Sequence, residues 1–378
     1  MDWLGLNFGF VELTPGKAMM IFIGLMFIAV AIKKEWEPME LLPIGLGMIL
    51  ANLPVAGLAV RPEDGQAPGT AGVLGIILEY GLYSYMVLPQ MIFFCIGAMT
   101  DFGPLIANPK AFLLGAAAQL GIYFAFLGAI IFGFDIRVAC SVGIIGGADG
   151  PTTIYITGQL APGIMGVTAT AAYSYMAMVA FIQPPIIKAL TTKKERSIKM
   201  KAMLRPVSQR ERIFFAVVTP IVIILLIPKS APLVGLLFAG NLFRESKVVE
   251  RLTETAQNAM VNIITILLML GVGASLPGDA IINNPRLLLV LALGFLAFGV
   301  GTAGGVLLGK VMSWISKEPF NPMIGAAGVS AVPMSARVVH HLGQEENKKN
   351  FLLMHAMGPN AAGVIGSAVA AGYFLGLF

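Results

Sequence analysis

GIIGGADGPTTIY occupies residues 143–155, and NPMIGAAGVSAVPMSARVVHH occupies residues 321–341. Both lie among long apolar runs. Both are too rich in Gly, Pro, Ser and Thr, and too interrupted, for plain spanning helices. Irregular backbone survives at membrane depth only inside protein or beside a watery cavity. The stretches 136–160 and 321–337 are therefore expected to be broken or re-entrant segments of an all-α integral membrane protein.

The surrounding sequence agrees. Of 378 residues, 57% are hydrophobic and 12% are charged. Soluble proteins carry about 25% charged residues, so this chain cannot dress a water-facing surface of normal size. A large soluble enzyme is excluded. So is a disordered chain, which needs low hydrophobicity. A β-barrel would show alternating strands of about ten residues instead. The 44 glycines and 23 prolines suit packed and broken spanning helices. Apolar segments fall at 18–32, 41–60, 71–100, 111–133, 163–190, 213–228, 231–242, 259–275, 287–309 and 351–376. With about 20 residues needed per span, the expectation is about ten transmembrane helices plus the two broken segments. Pro89 is expected to interrupt 71–100.

Charge sets the orientation. Residues 191–212 hold eight Lys/Arg and two Glu, and the positive-inside rule makes such a loop cytoplasmic. Counting outward puts Lys33, Lys34, Arg244, Lys247 and Arg251 inside and the 61–70 loop outside. The net charge of +5 then reflects basic loops, not a nucleic-acid surface. Cys95 and Cys140 lie in apolar runs and suggest neither a metal site nor a disulfide framework. The acidic, aromatic N-terminus lacks the basic start and cleavage site of a signal peptide.

The chain also repeats itself. ANPKAFLL at 107–114 resembles NNPRLLLV at 283–290, and Gly97-Ala98 and Gly273-Ala274 precede the two blocks at equal spacing. The 147–150 stretch GADG meets GAAG at 325–328, and LPIGLGMILANL at 42–53 resembles APLVGLLFAGNL at 231–242. The four matches keep one order. The orientation count makes the halves, 1–190 and 213–378, opposite in direction on either side of the 191–212 loop. Inverted repeats whose broken segments meet near the midplane are an architecture of ion-coupled transport.

Asp149 carries the sharpest chemistry. A carboxylate at the bilayer centre costs about 3 kcal/mol even on lenient scales, so it calls for a cation, a proton or a partner. Nearby hydroxyls and freed carbonyls suit Na+ or a proton. The competing reading is a helix N-cap at the membrane surface. Tyr175, with Tyr173 and Ser174 beside it, offers a hydroxyl to Asp149 or to an ion; the alternative is an interfacial aromatic. On the second segment stand Asn321, Ser330, Ser335 and Arg337, with Gly325 and Gly328 allowing close approach. Arg337 suits a bidentate carboxylate ligand or a mobile charge competing with a cation; the alternative is a cytoplasmic-end arginine. His340 and His341 do not share a helix face and read as an exposed pair. Glu79 fits an intramembrane acid, and Asp101 a helix cap. Residues 198–203 read Ile-Lys-Met-Lys-Ala-Met, which is like the Met-Lys-Met of a biotin-attachment site, but no strand pattern surrounds them, so they read as part of the basic loop.

GGADGPTTIY, YSYMAMVAFIQPPIIKAL, NPMIGAAGVSAVPMSARVV and MGPNAAGVIGSAVAAG (357–372) together resemble the β subunit of sodium-pumping biotin-dependent decarboxylases. That family serves oxaloacetate, methylmalonyl-CoA, glutaconyl-CoA and malonate decarboxylase complexes, and the resemblance covers nearly the whole chain. It implies a subunit that decarboxylates carboxybiotin held by a partner and moves Na+ out of the cytoplasm, consuming a proton from outside. It implies Na+ binding by Asp149, Asn321, Gly325 and Ser330. It further implies ion or proton handling by Tyr175 (Tyr173 being the neighbouring candidate) and by Ser330, and a meeting of Arg337, with Asn321, and the carboxybiotin. Implied partners are a biotin carrier, a soluble carboxyltransferase, a small single-span membrane subunit and further copies of the chain, in the cytoplasmic membrane of a prokaryote. The rival class is a sodium-coupled transporter of a small solute that performs no chemistry; a channel is a third.

Overall fold

Thr14 starts the first long helix. Its hydroxyl accepts from the Lys17 amide at 3.2 Å, with Pro15 fitting the first turn. In a computed structural model, the structure describes residues 9–62, 70–200, 205–276, 278–279 and 284–378. Its main helices are α1 (Pro15–Lys34), α2 (Pro38–Asn52), α3 (Val73–Tyr83), α4 (Val87–Met99), α5 (Ala111–Ile131), α6 (Ile136–Gly147) and α7 (Gly150–Leu160). They continue with α8 (Pro162–Ala177), α9 (Val179–Leu190), α10 (Gln209–Leu226), α11 (Leu236–Ser246), α12 (Glu250–Ala274), α13 (Arg286–Ile315), α14 (Met334–Glu346) and α15 (Leu353–Gly376). No strand occurs among the described residues. The chain is an all-helical protein of membrane type.

Four of these helices, α1, α5, α12 and α13, are long and apolar enough to cross a membrane, or six spans if each bent pair counts once. The pairs are α3 with α4, bent by 67°, and α8 with α9, bent by 66°. Of the expected spans, about ten, the structure accounts for four to six in this way, and α2 and α6 are shorter apolar helices. Pro89 does not make the first break. The helix interrupts before it, at Ser84–Met86, where Met86 takes φ 49°. Pro89 then sits in the first turn of α4, where a missing N–H costs no helical bond. Asn283, most of the 61–70 loop and residues 201–203 of the 198–203 stretch lie outside the described residues.

Both Gly/Pro-rich segments are broken as expected. The first turns at Ala148, which is left-handed (φ 54°), between α6 and α7. The second is a 3-10 turn, Pro322–Gly328, then extended residues before α14. Helix α13, about 45 Å long at 1.5 Å per residue, lies against it. Gly305 and Gly325 bring the two backbones into contact, leaving no room for a Cβ on either.

Backbone freed by these breaks must find partners. The Gln183 amide donates to the Ala326 carbonyl at 3.0 Å, and the Asn360 amide donates to the Ala327 and Val329 carbonyls at 2.9 and 2.8 Å. The Ser330 amide donates to the Gly147 carbonyl at 3.1 Å, joining the second broken segment directly to the first.

Two helix pairs flank this centre: α2 with α12, and α4 with α11. Glycines bring the backbones together in both, Gly47 and Gly273 in one, Gly97 and Gly240 in the other. Each pair is closed by an asparagine. The Asn52 amide donates to the Leu276 carbonyl at 3.0 Å, and its oxygen accepts from the Gly278 amide at 3.0 Å. The Asn241 amide donates to the Thr100 carbonyl at 2.9 Å.

Candidate functional site

Asp149 is the N-cap of α7 and accepts from the Thr152 amide at 3.1 Å. The residue is therefore a helix cap, and it is a buried one, only 5% exposed. Its second oxygen accepts from the Ser367 hydroxyl at 2.6 Å. The cap places the carboxylate at the positive end of a helix dipole, which favours negative charge. Thr153 completes the turn by donating its hydroxyl to the Asp149 carbonyl at 2.7 Å.

Beside Asp149 lies a cavity of about 290 Å³. Its lining includes Asp149, Tyr173 and Ser330, together with Glu40 from α2 and Thr265 and Met269 from α12. Tyr173 and Ser330 are 1% and 6% exposed. The Tyr173 hydroxyl, Ser330 Oγ and one Glu40 oxygen are buried and have no hydrogen-bond partner among the described residues. Buried polar atoms are nearly always paired. Unpaired oxygens around a carboxylate make a donor set for a hard cation, which takes oxygen ligands. The residues present thus fit Na+ as cargo.

The two tyrosines separate here. They stand two residues apart on α8, so they leave it about 200° apart. The Tyr173 ring lies on Gly150, and a Cβ there would come within 2.7 Å of the Tyr173 hydroxyl oxygen. The Tyr175 hydroxyl instead donates to the Leu291 carbonyl of α13 at 2.5 Å, and Tyr175 lines a separate, apolar cavity. Tyr173, not Tyr175, faces Asp149.

Asn321 is also away from the cavity. Its oxygen accepts from the Met323 amide at 3.0 Å, and its amide donates to the Arg196 and Ile198 carbonyls at 3.0 and 2.9 Å. It ties the second broken segment to the basic loop. Asn350 donates to the same Arg196 carbonyl at 3.1 Å, and Arg196 pairs with Glu346 at 2.7 Å. Gly325 serves by close packing and does not line the cavity. Ser335 is fully buried, with its hydroxyl unpartnered among the described residues.

Arg337 is exposed on α14, four residues after Pro333, which lines the cavity. It makes no hydrogen bond or ion pair with the described residues, so its guanidinium is available to an anionic ligand. Glu37, just before α2, lies within reach of its charge. Burial pushes the Glu37 carboxyl above the ordinary range while Arg337 works the other way.

Other sequence readings sort as follows. Glu79 pairs with Arg61 at 2.6 Å. Asp101 accepts from the Gly103 amide at 2.8 Å and pairs with Arg212 at 2.5 Å, a turn anchored to the loop rather than a simple cap. His341 is exposed, but His340 is half-buried against Phe351, with ring centroids 5.9 Å apart. Ser367, Glu40, Gln183 and Asn360 went unnoticed in sequence. Each is a polar residue in or beside an apolar helix, and that was their signal.

With this geometry in place, similarity to known proteins becomes informative. The family described as Na+-transporting oxaloacetate decarboxylase beta subunit matches residues 16–378. The chain is 52% identical to the methylmalonyl-CoA decarboxylase subunit beta of Propionigenium modestum, covering 98% of this chain and 97% of that one. It is 50% identical to the glutaconyl-CoA decarboxylase subunit beta of Acidaminococcus fermentans, covering 98% and 95%. It is 48% identical to the oxaloacetate decarboxylase beta chain of Klebsiella pneumoniae, covering 97% and 96%.

Proposed function

The chain belongs to the family of Na+-transporting decarboxylase β subunits, and from that premise we propose that it decarboxylates carboxybiotin on a partner subunit and couples this to outward Na+ movement. The observation that carries the reading is the buried Asp149 carboxylate, held by Ser367 and Thr152 beside oxygens that lack partners. Three relatives with different acyl substrates share about half their residues with this chain, in keeping with a step common to all three complexes.

In this reading Na+ is held by Asp149 and Ser330, with Tyr173 closing the site. Asn321 and Gly325 act by fixing the second broken segment, and Tyr175 acts from the far side of α8, where it ties that helix to α13. Carboxybiotin arrives from the cytoplasmic face, and Arg337 receives its carboxylate. The N–CO2 bond breaks, the electron pair stays on the ring nitrogen, and a proton drawn from outside lands there as CO2 leaves. Moving one charge against 100 mV costs about 2.3 kcal/mol. The ion must therefore leave outward only when decarboxylation occurs.

The architecture supports alternating access. The Asn52 and Asn241 closures sit at matching places in the 42–53 and 231–242 stretches, and their acceptors, Leu276 and Thr100, match in the other pair of repeated blocks. This supports an inverted repeat of about ten spans in all. The basic 191–212 loop faces the cytoplasm in this reading, in a prokaryotic cytoplasmic membrane. The partners are a biotin carrier, a soluble carboxyltransferase, a single-span subunit and further copies of the chain. The test is carboxybiotin decarboxylation by the purified complex. Turnover that depends on Na+ and is lost in Arg337→Ala is expected; Na+-driven uptake of a solute without carboxybiotin turnover would favour the solute transporter.

A further inference from the structure

Glu40 is an acid that the reading above leaves unused. It sits in the first turn of α2, where an acid is ordinary. Its surroundings are not ordinary. One carboxylate oxygen is cut off from solvent and meets no hydrogen-bond donor among the described residues. The side chain lines the same cavity as Asp149, from a different helix. Tyr173 lines that cavity with them, close enough for the charge of each acid to act on its hydroxyl. The Tyr173 and Ser330 hydroxyls, both on side chains more than nine-tenths buried, are themselves unpartnered in that space.

Two carboxylates facing one small cavity repel unless something positive lies between them. Asp149 has its own donors in Ser367 and Thr152. Glu40 has none on its buried oxygen among the described residues, which leaves that oxygen to a cation as its counterpart. Its neighbour one turn outward is Glu37, on the same face of the helix start, and Glu37 lies near Arg337. A row of acids thus runs from the Arg337 surface, through Glu37 and Glu40, to Asp149.

We infer that Glu40 is a second Na+-binding carboxylate of the cavity, which takes the ion from the Glu37 side and shares it with Asp149. The inference rests on the Na+ reading of Asp149 and deepens it. It assigns the cavity two acids from different parts of the fold: one on α2, packed with α1 and α12, the other on the broken segment held by α15. An ion shared by both acids ties α2 to the broken segment, and its departure removes that tie.

The test is the Na+ dependence of carboxybiotin decarboxylation in the purified complex, with Glu40→Gln, Glu40→Asp and Asp149→Asn side by side. Loss of one of two carboxylates near a cation in a partly screened site should raise half-saturating Na+ roughly ten- to a hundredfold. The change should fall chiefly on half-saturation rather than on maximal rate, with Glu40→Asp recovering most of it. Unchanged half-saturation in Glu40→Gln, or a loss confined to maximal rate, overturns the inference. Normal Na+ saturation in Asp149→Asn instead overturns the underlying Na+ reading. A measurement on the unmutated complex guards against misfolding of the variant: labelling of Glu40 by a hydrophobic carbodiimide, read by mass spectrometry. Protection by Na+ but not by K+ is expected, and equal labelling with and without Na+ refutes the assignment.

Discussion

Asn360→Ala tests how the second broken segment is held. Asn360 is fully buried on α15, and its amide donates to the Ala327 and Val329 carbonyls at 2.9 and 2.8 Å. Those carbonyls belong to backbone that has left the helical pattern, so they have no helical donor to fall back on. Interhelical hydrogen bonds in membrane proteins average about 0.6 kcal/mol, which gives a lower bound of about 1.2 kcal/mol for two. Orphaned buried carbonyls cost about 1–3 kcal/mol each, which gives an upper bound of about 6 kcal/mol. A value of about 2–3 kcal/mol is expected, or roughly a 30- to 150-fold rise in local opening. Amide hydrogen exchange in detergent or nanodiscs reads this directly. Peptides spanning 325–333 should exchange faster by that factor, while the α2–α12 pair keeps its protection. The Na+ site should weaken with it, because Ser330 lies at the end of the same segment and donates to Gly147. Unchanged exchange across 325–333 would refute the claim that Asn360 holds this backbone.

Three further outcomes follow from the same geometry. Gly150→Ala puts a methyl against the Tyr173 ring; overpacking of this kind costs about 1–3 kcal/mol, and both the thermal midpoint and Na+ affinity should fall, measured by unfolding scans with and without Na+. Asn52→Ala and Asn241→Ala should destabilise by similar amounts, about 1–2 kcal/mol each for hydrogen bonds of this type, and exchange should rise around Leu276 in one and Thr100 in the other. Glu195 tests the loop: burial raises its proton affinity, but the Thr192 amide and hydroxyl and Lys310 outweigh it, so its carboxyl is held below the usual range. A carboxyl lowered on folding contributes stability above its unfolded value and loses it as pH falls through the folded one. Proteolysis within 192–200 should therefore accelerate on acidification into that range, and Glu195→Gln should remove the pH dependence.

The parts legible in the sequence were those that broke a pattern. Asp149 stood out because a carboxylate does not belong in an apolar run, and Ser330 and Arg337 because Gly and Pro interrupt a membrane segment beside them. What the sequence could not supply was helical phase and cross-chain proximity. Tyr173 and Tyr175 differ only by which way they leave α8, and that is decided by packing against Gly150 and α13. Ser367 is one hydroxyl in a small-residue helix, and nothing local links it to an acid 218 positions away. Glu40 was masked by the charged run that precedes it. Pro89 misled because proline tolerates a first turn as well as a break. Composition alone does not separate a short span from a broken one, so helices that bend or fall short leave the span count open to four to six by length and apolarity alone.

The most direct test of the account is Na+ transport by the complex reconstituted into sealed vesicles, wild type against Asp149→Asn, with decarboxylation followed at the same time. The account predicts that Asp149→Asn loses Na+ movement and carboxybiotin turnover together. Robust turnover in that variant, or Na+ movement that survives it, would contradict the assignment of Asp149 as the coupling site.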